Sequence, residues 1–172
     1  MGFDLQPHLS NNLVDLRPLL AEDFDALFNA ASDPSIWEQH PDKKRCTMPG
    51  FKDFFEDSLN SKGCLVIQDK VANTIIGSSR FKVRANFEDA VEIGWTFLIR
   101  KYWGGNYNMA VKRLMMEYAF RHVNRILFFV AKDNFRSQKA VEKLTAMNDF
   151  PLCMNKKSEP EEENIIYIIQ KS

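Results

Sequence analysis

The chain has 172 residues, 45% of them apolar, including 14 Phe, and its Lys plus Arg and Asp plus Glu balance at 23 each. That length is one domain with material for a substantial, aromatic-rich core, and the balanced charge removes the electrostatic case for wrapping a nucleic-acid backbone. No window reaches the ~18 uninterrupted apolar residues of a membrane span.

The start, MGFDLQPHLS, lacks a charged residue followed by an apolar run, so it does not read as a secretory signal. Gln6 stands where a myristoylation signal wants Ser or Thr. Residues 13–17 alternate apolar and polar like a half-buried strand, closed by Arg17-Pro18. From Ala21 to Ala31, Phe24, Leu27, Phe28 and Ala31 recur at helical spacing until Asp33-Pro34 stops them. A second amphipathic helix is expected over Pro49–Leu59, with Phe51, Phe54, Phe55 and Leu59 on one face. Between the two, Trp37 to Met48 reads as irregular.

Strand signals follow. Cys64–Asp69 and Thr74–Phe81 are joined by a short polar turn and read as a hairpin, and Val91–Ile99 is a long strand. A glycine-containing loop, Tyr102 to Asn106, then opens a helix with Ala110, Val111, Leu114, Met115, Tyr118 and Ala119 as its apolar stripe. Ile126–Ala131 is short and continuously apolar, as in a strand covered on both faces. Asp133-Asn134 can cap a helix from Phe135 to about Met147, with Ala140, Val141 and Leu144 facing inward. A weak strand near Phe150–Met154, an acidic loop (Glu159–Glu163) and a strand over Ile165–Ile169 complete the chain.

Cys46, Cys64 and Cys153 are an odd number without paired spacing, so neither a disulfide framework nor a zinc site is expected, and no metal is. Cys64 reads as a buried free thiol, and the whole as a reduced, cytoplasmic protein. The strand–helix–strand unit linking Val91–Ile99 to Ile126–Ala131 makes those two strands parallel within a mixed sheet. The C-terminal ends of such a pair are the natural ligand crevice.

Two windows carry chemistry. In the first, Trp103-Gly104-Gly105-Asn106 leads from a strand into a helix, where free N–H groups and the positive end of the dipole can receive phosphate. A plain turn has the same glycines. The second, Asp133–Leu144, sets Asn134 and Ser137 at a helix start near the same crevice; read singly they are a cap and a surface serine.

Together these windows resemble the GNAT superfamily, in the branch that acetylates N-termini of ribosomal proteins. The family's EIG strand, W-G-x-G-Y-A loop and N-x-x-S-x-x-A-x-E-K helix are matched in order. The matching residues are Glu92-Ile93-Gly94, Trp103-Gly104-Gly105-Asn106-Tyr107-Asn108, and Asn134, Ser137, Ala140 and Glu142-Lys143. The similarity spans roughly residues 13 to 150. Asn106 and Asn108 depart from the family's small residues, and Asn tolerates the left-handed conformation better than other non-glycine residues.

The resemblance implies an α/β (α+β) fold with a mixed, largely antiparallel sheet, a splayed central parallel pair and flanking helices. It implies direct transfer of an acetyl group from acetyl-CoA to a primary amine, on a protein N-terminus or a small molecule. Pantetheine would meet the backbone of Thr96, Phe97 and Leu98, and pyrophosphate the N–H groups from Gly104 through Asn106 and Tyr107 to Asn108. Asn134 would bond the cofactor or a water, and Lys139 could reach a phosphate or simply be solvated. Glu92 is a candidate base for the amine, or an outward or orienting strand residue. Ser137 is the family-matched partner of the departing sulfur. Trp37 and His40, in the irregular segment, are candidates for meeting the acceptor. A cofactor-binding but catalytically idle GNAT domain, acting as a sensor or interaction module, is the alternative reading, with a homodimer possible through an exposed sheet edge.

Overall fold

A computed structural model describes residues 2–145, 152–158 and 162–171 of the chain. Its strands are β1 (Leu9–Ser10), β2 (Val14–Pro18), β3 (Cys64–Asp69), β4 (Thr74–Lys82), β5 (Ala90–Leu98), β6 (Arg125–Ala131), β7 (Leu152–Lys157) and β8 (Asn164–Lys171). The α-helices are α1 (Phe24–Ala31), α2 (Met48–Asn60), α3 (Tyr107–Ala119) and α4 (Phe135–Glu142). One eight-stranded sheet runs in the order β1-β2-β3-β4-β5-β6-β8-β7. Among the described residues only the β5–β6 pairing is parallel; the others are antiparallel. The mixed sheet with a central parallel pair is therefore the observed architecture.

Strand alternation decides what each helix covers. In β3, Leu65 and Ile67 point into a core shared with Val111, Met115 and Ala119 of α3. Cys64 and Val66 point to the opposite face, where α1 and α2 pack. Both faces are dry, which is why the strand reads as one apolar run. Burial pushes the Cys64 thiol up to about 11, so it is an inert, filling residue.

The α2 face is aromatic. Phe51, Phe54 and Phe55 are buried there, in contact with the rings of Phe24, Phe28, Trp37 and Phe97. Arg80 of β4, only 2% exposed, crosses this layer. It donates to Asp57 (2.7 Å) and Ser58 (2.6 Å) of α2 and lies 4.5 Å over the Trp95 ring, clamping helix to sheet.

Local chemistry adjusts the expected boundaries. The first helix opens as a 3-10 turn, Ala21–Asp23, because Asp23 accepts the Leu20 N–H (2.8 Å) and the Arg17 fork (2.7 and 2.8 Å). The irregular segment holds 3-10 turns at Pro34–Trp37 and Lys43–Cys46. β1 was not anticipated from its two residues, and α4 ends at Glu142 rather than near Met147. Residues 146–151 and 159–161, which hold parts of the expected last helix, weak strand and acidic loop, lie outside the described residues. The closing strand is longer than read, and it inserts between β6 and β7.

Candidate acyl-transfer site

The site begins with a fault in the sheet. β4 and β5 pair Ser78 with Phe97 and Arg80 with Gly94, so Trp95 and Thr96 together oppose Ser79. This is a β-bulge, and Trp95 takes up the extra length with φ at +51°. On its other side β5 pairs with β6 only at Ala90, Val91 and Glu92. Beyond Glu92 and Leu127 the two strands part, while β6 stays paired to β8 as far as Ala131. Ile99 donates its N–H to Ile76 of β4 (2.8 Å), so by alternation the Leu98 N–H faces the gap. The Leu98 carbonyl on that side accepts from the Trp103 indole at 2.9 Å.

The gap is a cavity of about 550 Å³. Thr96, Phe97 and Leu98 form one wall, Phe128 to Ala131 the other, and Gly104, Gly105, Asn108, Asn134, Ser137 and Lys139 stand around it. The sequence windows thus converge on one space. Gly104 has φ at +70°, and a side chain at Gly104 or Gly105 would meet open space, so the rim leaves room for a ligand against the main chain. The first-turn N–H groups of α3 lack intrahelical partners, as at any helix start. Tyr107 faces elsewhere: its hydroxyl bonds Asp69 (3.2 Å) beside that of Tyr102 (2.7 Å), fastening the loop to the end of β3. Asn106 immediately precedes the helix, without a side-chain cap bond.

At the start of α4, Asn134 is buried, and its carboxamide oxygen accepts the Ser137 N–H at 3.1 Å. It is a cap, leaving its amide nitrogen as the group able to meet a ligand. Ser137 is half-buried and Lys139 exposed.

Glu92 sits at the closed end of the gap, 2% exposed, and is not among the residues lining the cavity. Arg84 donates to its Oε2 at 2.5 Å. Its Oε1 lies 3.2 Å from where a Cβ on Gly94 would be, so a side chain at Gly94, which lines the cavity, would crowd the carboxylate.

Trp37 and His40 line the cavity from the α1–α2 side. Trp37 is 3% exposed, donates its indole N–H to Ala31 (2.8 Å) and packs on Phe97, so it is largely a core anchor. His40 accepts the Asp42 N–H on Nδ1 (2.9 Å); burial, then the positive charges of Arg45 and Arg136, push its imidazole down to about 4.

Several lining residues escaped the sequence reading. Arg136 donates to the Ile36 carbonyl (2.7 Å), takes the Gln39 side chain on its N–H (3.0 Å) and stacks 4.1 Å over Trp103. It straps the α1–α2 segment across the gap. Arg45 lies 4.5 Å over Phe54. Lys112 of α3, 6% exposed, donates to Thr96 Oγ1 at 2.5 Å, and burial pushes its ammonium down to about 7. Arg45, Lys112, Arg136, Lys139 and Lys143 line the cavity, with no Asp or Glu among the described residues that do. A chain balanced overall has therefore concentrated cations where a polyanion would lie.

Among the described residues, no group of three or more His, Cys, Asp and Glu side chains could hold a metal, and no helix is long and apolar enough to cross a membrane.

Solved structures share this fold. A structure of a GCN5-related N-acetyltransferase from Brucella melitensis superposes with a TM-score of 0.77 at 16% identity, covering 96% of this chain and 79% of that one. The ribosomal-protein-S5-alanine acetyltransferase from Vibrio fischeri gives 0.67 at 16% identity, covering 96% of each chain. Spermidine N-acetyltransferase from Vibrio cholerae, in complex with CoA and spermine, gives 0.63 at 12% identity over 92% of this chain and 95% of that one. A search of curated proteins returns no match. The acetyltransferase (GNAT) domain family matches residues 14–146, which include the bulge, the glycine loop and α4. The chain belongs to the GNAT acetyltransferase family.

Proposed function

We propose that this chain transfers an acetyl group from acetyl-CoA directly to a primary amine, within the reducing interior of the cell. The observation that carries the reading is the cation-lined gap between β5 and β6, closed at one end by strand pairing and opened at the other by Gly104 and Gly105. Bound there, acetyl-CoA would supply the activated thioester. The main-chain N–H groups from Gly104 to Asn108 would hold its diphosphate, with Lys139 and the Asn134 amide nearby. The free edge of β5 at Thr96, Phe97 and Leu98 would bond the pantetheine arm and polarise the acyl carbonyl. Holding amine and thioester together supplies up to ~7–11 kcal/mol of the rate enhancement. Ser137, on α4, would hydrogen-bond the departing sulfur.

The amine must attack as the free base, and Glu92 is the carboxylate nearest the closed end. Committed to Arg84, it acts as a proton acceptor through water past Gly94, or orients the acceptor. His40, neutral above about pH 4, and Trp37 border the acceptor's entrance. Arg45 and Arg136 stand on that side with no carboxylate lining it, which favours an amine next to a carboxylate, such as an amino acid or peptide, over a polyamine. β7, at the sheet edge, offers a surface for a homodimer.

Calorimetry with acetyl-CoA, followed by a thiol-release assay on peptide, amino-acid and polyamine acceptors, tests this. Absent binding heat at ~1 mM ligand, far weaker than a ~4 kcal/mol interaction, would end it. A second reading has one observation in its favour: the ion pair that occupies Glu92 suits a domain that binds acyl-CoA without turning it over. Binding without thiol release for any amine is the outcome that selects it.

A further inference from the structure

α3 carries a lysine where its neighbours on the inner face are apolar. Lys112 is buried with Val111, Met115, Met116 and Ala119, yet among the described residues no carboxylate forms an ion pair with it. Its Nζ reaches across the floor of the gap. On one side it donates to Thr96 Oγ1 (2.5 Å), which is backed by Ser79 Oγ of β4 at 2.7 Å. On the other it lies 5.4 Å over the ring of Phe128, one residue beyond the last parallel pair, Glu92 with Leu127. A buried ammonium with a hydroxyl and a ring as partners is costly to keep, and nothing in the packing of the fold calls for it.

The position matters because of the ligand's shape. A CoA diphosphate at the Gly104–Gly105 rim sends its long, thin arm down the gap, so the sulfur arrives toward the floor, where the strands close. We propose that Lys112 is the proton donor to the departing CoA thiolate. This rests on the acetyl-CoA reading above. In the step, the free amine's nitrogen bonds to the acyl carbon and the carbon–sulfur bond breaks. The sulfur keeps that electron pair and takes a proton from the Lys112 ammonium. The amine's surplus proton passes to Glu92 or water, and Lys112 is reprotonated from solvent.

The energetics agree with that direction of transfer. Burial holds the ammonium down to about 7, so it gives up its proton more readily than an ordinary lysine at ~10.4. The other ionisable side chains around the cavity are His40, Arg45 and Arg136 from the acceptor side and Lys139 and Lys143 from α4. Behind Lys112, β5 and β4 present the hydroxyls of Thr96 and Ser79.

The test is the ionisation of bound CoA, read as ultraviolet thiolate absorbance in difference spectra against the desulfo-CoA complex. With the unaltered protein, the bound thiol should ionise at lower pH than free CoA, because an ammonium stands beside it. In Lys112→Met that shift should vanish, and kcat should fall about 100-fold while KM for acetyl-CoA changes little. Lys112→Arg, charged but unable to give up its proton, should recover the thiol shift and little of kcat. If CoA fails to bind at all, the acetyl-CoA reading is itself lost. If CoA binds and its thiol titrates alike in the unaltered protein and Lys112→Met, Lys112 is not the donor and the acetyl-CoA reading stands.

Discussion

The two halves of β5 are made of similar residues and do opposite things. From Ala90 to Glu92 the strand is buried and paired to β6, with Glu92 paired to β4 as well, and its one charge is answered by Arg84. From Gly94 to Leu98 it has lost β6, gained a bulge, and turned a main-chain edge toward a cavity. The charge that reaches it from α3, Lys112, has a hydroxyl and a ring as its partners among the described residues. Main-chain groups that a sheet would normally satisfy are left for a ligand, and a charge that folding would normally pair is left free to react. The first half is built for stability and the second gives some of it up.

The comparison breaks most completely at Gly94. Gly94→Leu fills the closed end of the gap beside Glu92, and binding of acetyl-CoA should disappear from calorimetry while the fold, checked by circular dichroism, persists. In the paired half, Arg84→Met strands the buried Glu92 and should lower stability by about 3 kcal/mol in chemical denaturation. The Arg84→Met, Glu92→Leu double variant should regain most of it.

The parted half should respond in the opposite sense. Lys112, pushed down to about 7 in the fold, binds fewer protons there than in the unfolded chain, so its cost is full below pH 7 and fades as pH rises toward ~10.4. Lys112→Met should therefore gain about 2 kcal/mol at pH 6 and nothing above pH ~10.5. The smallest effect lies across the cavity. His40, pushed down to about 4, weakens the fold as pH falls from ~6.5 and does so fully below 4. His40→Asn should gain about 1 kcal/mol at pH 4 and leave stability at pH 7 unchanged.

Reading the residues in order shows why some of this was legible. The spacing of Phe51, Phe54 and Phe55 depends on helix period alone, and it found α2 and its inner face. On α3 the same reasoning chose Ala110, Leu114 and Tyr118 with Val111, Met115 and Ala119. The buried face is instead Val111, Lys112, Met115, Met116 and Ala119. The 112, 115, 116, 119 spacing was present in the sequence, but a lysine inside an apolar stripe is ordinarily assigned to solvent. Arg45 and Arg136 were not readable, because they reach the cavity from a 3-10 turn and a helix start whose directions no periodicity encodes.

Local matters are written in the order of residues: which segments are strands or helices, that a crossover makes two strands parallel, and that glycines open α3 near Asn134 and Ser137. These follow from side-chain period, handedness and backbone freedom, which act over a few residues. Long-range packing decided that Trp95 would accept a left-handed backbone, that the strands would part after Glu92, and that Arg84 would hold that carboxylate. It also decided that cations from three separated segments would share one cavity. Such outcomes come from packing and charge balance among residues distant along the chain, where no single segment carries the information.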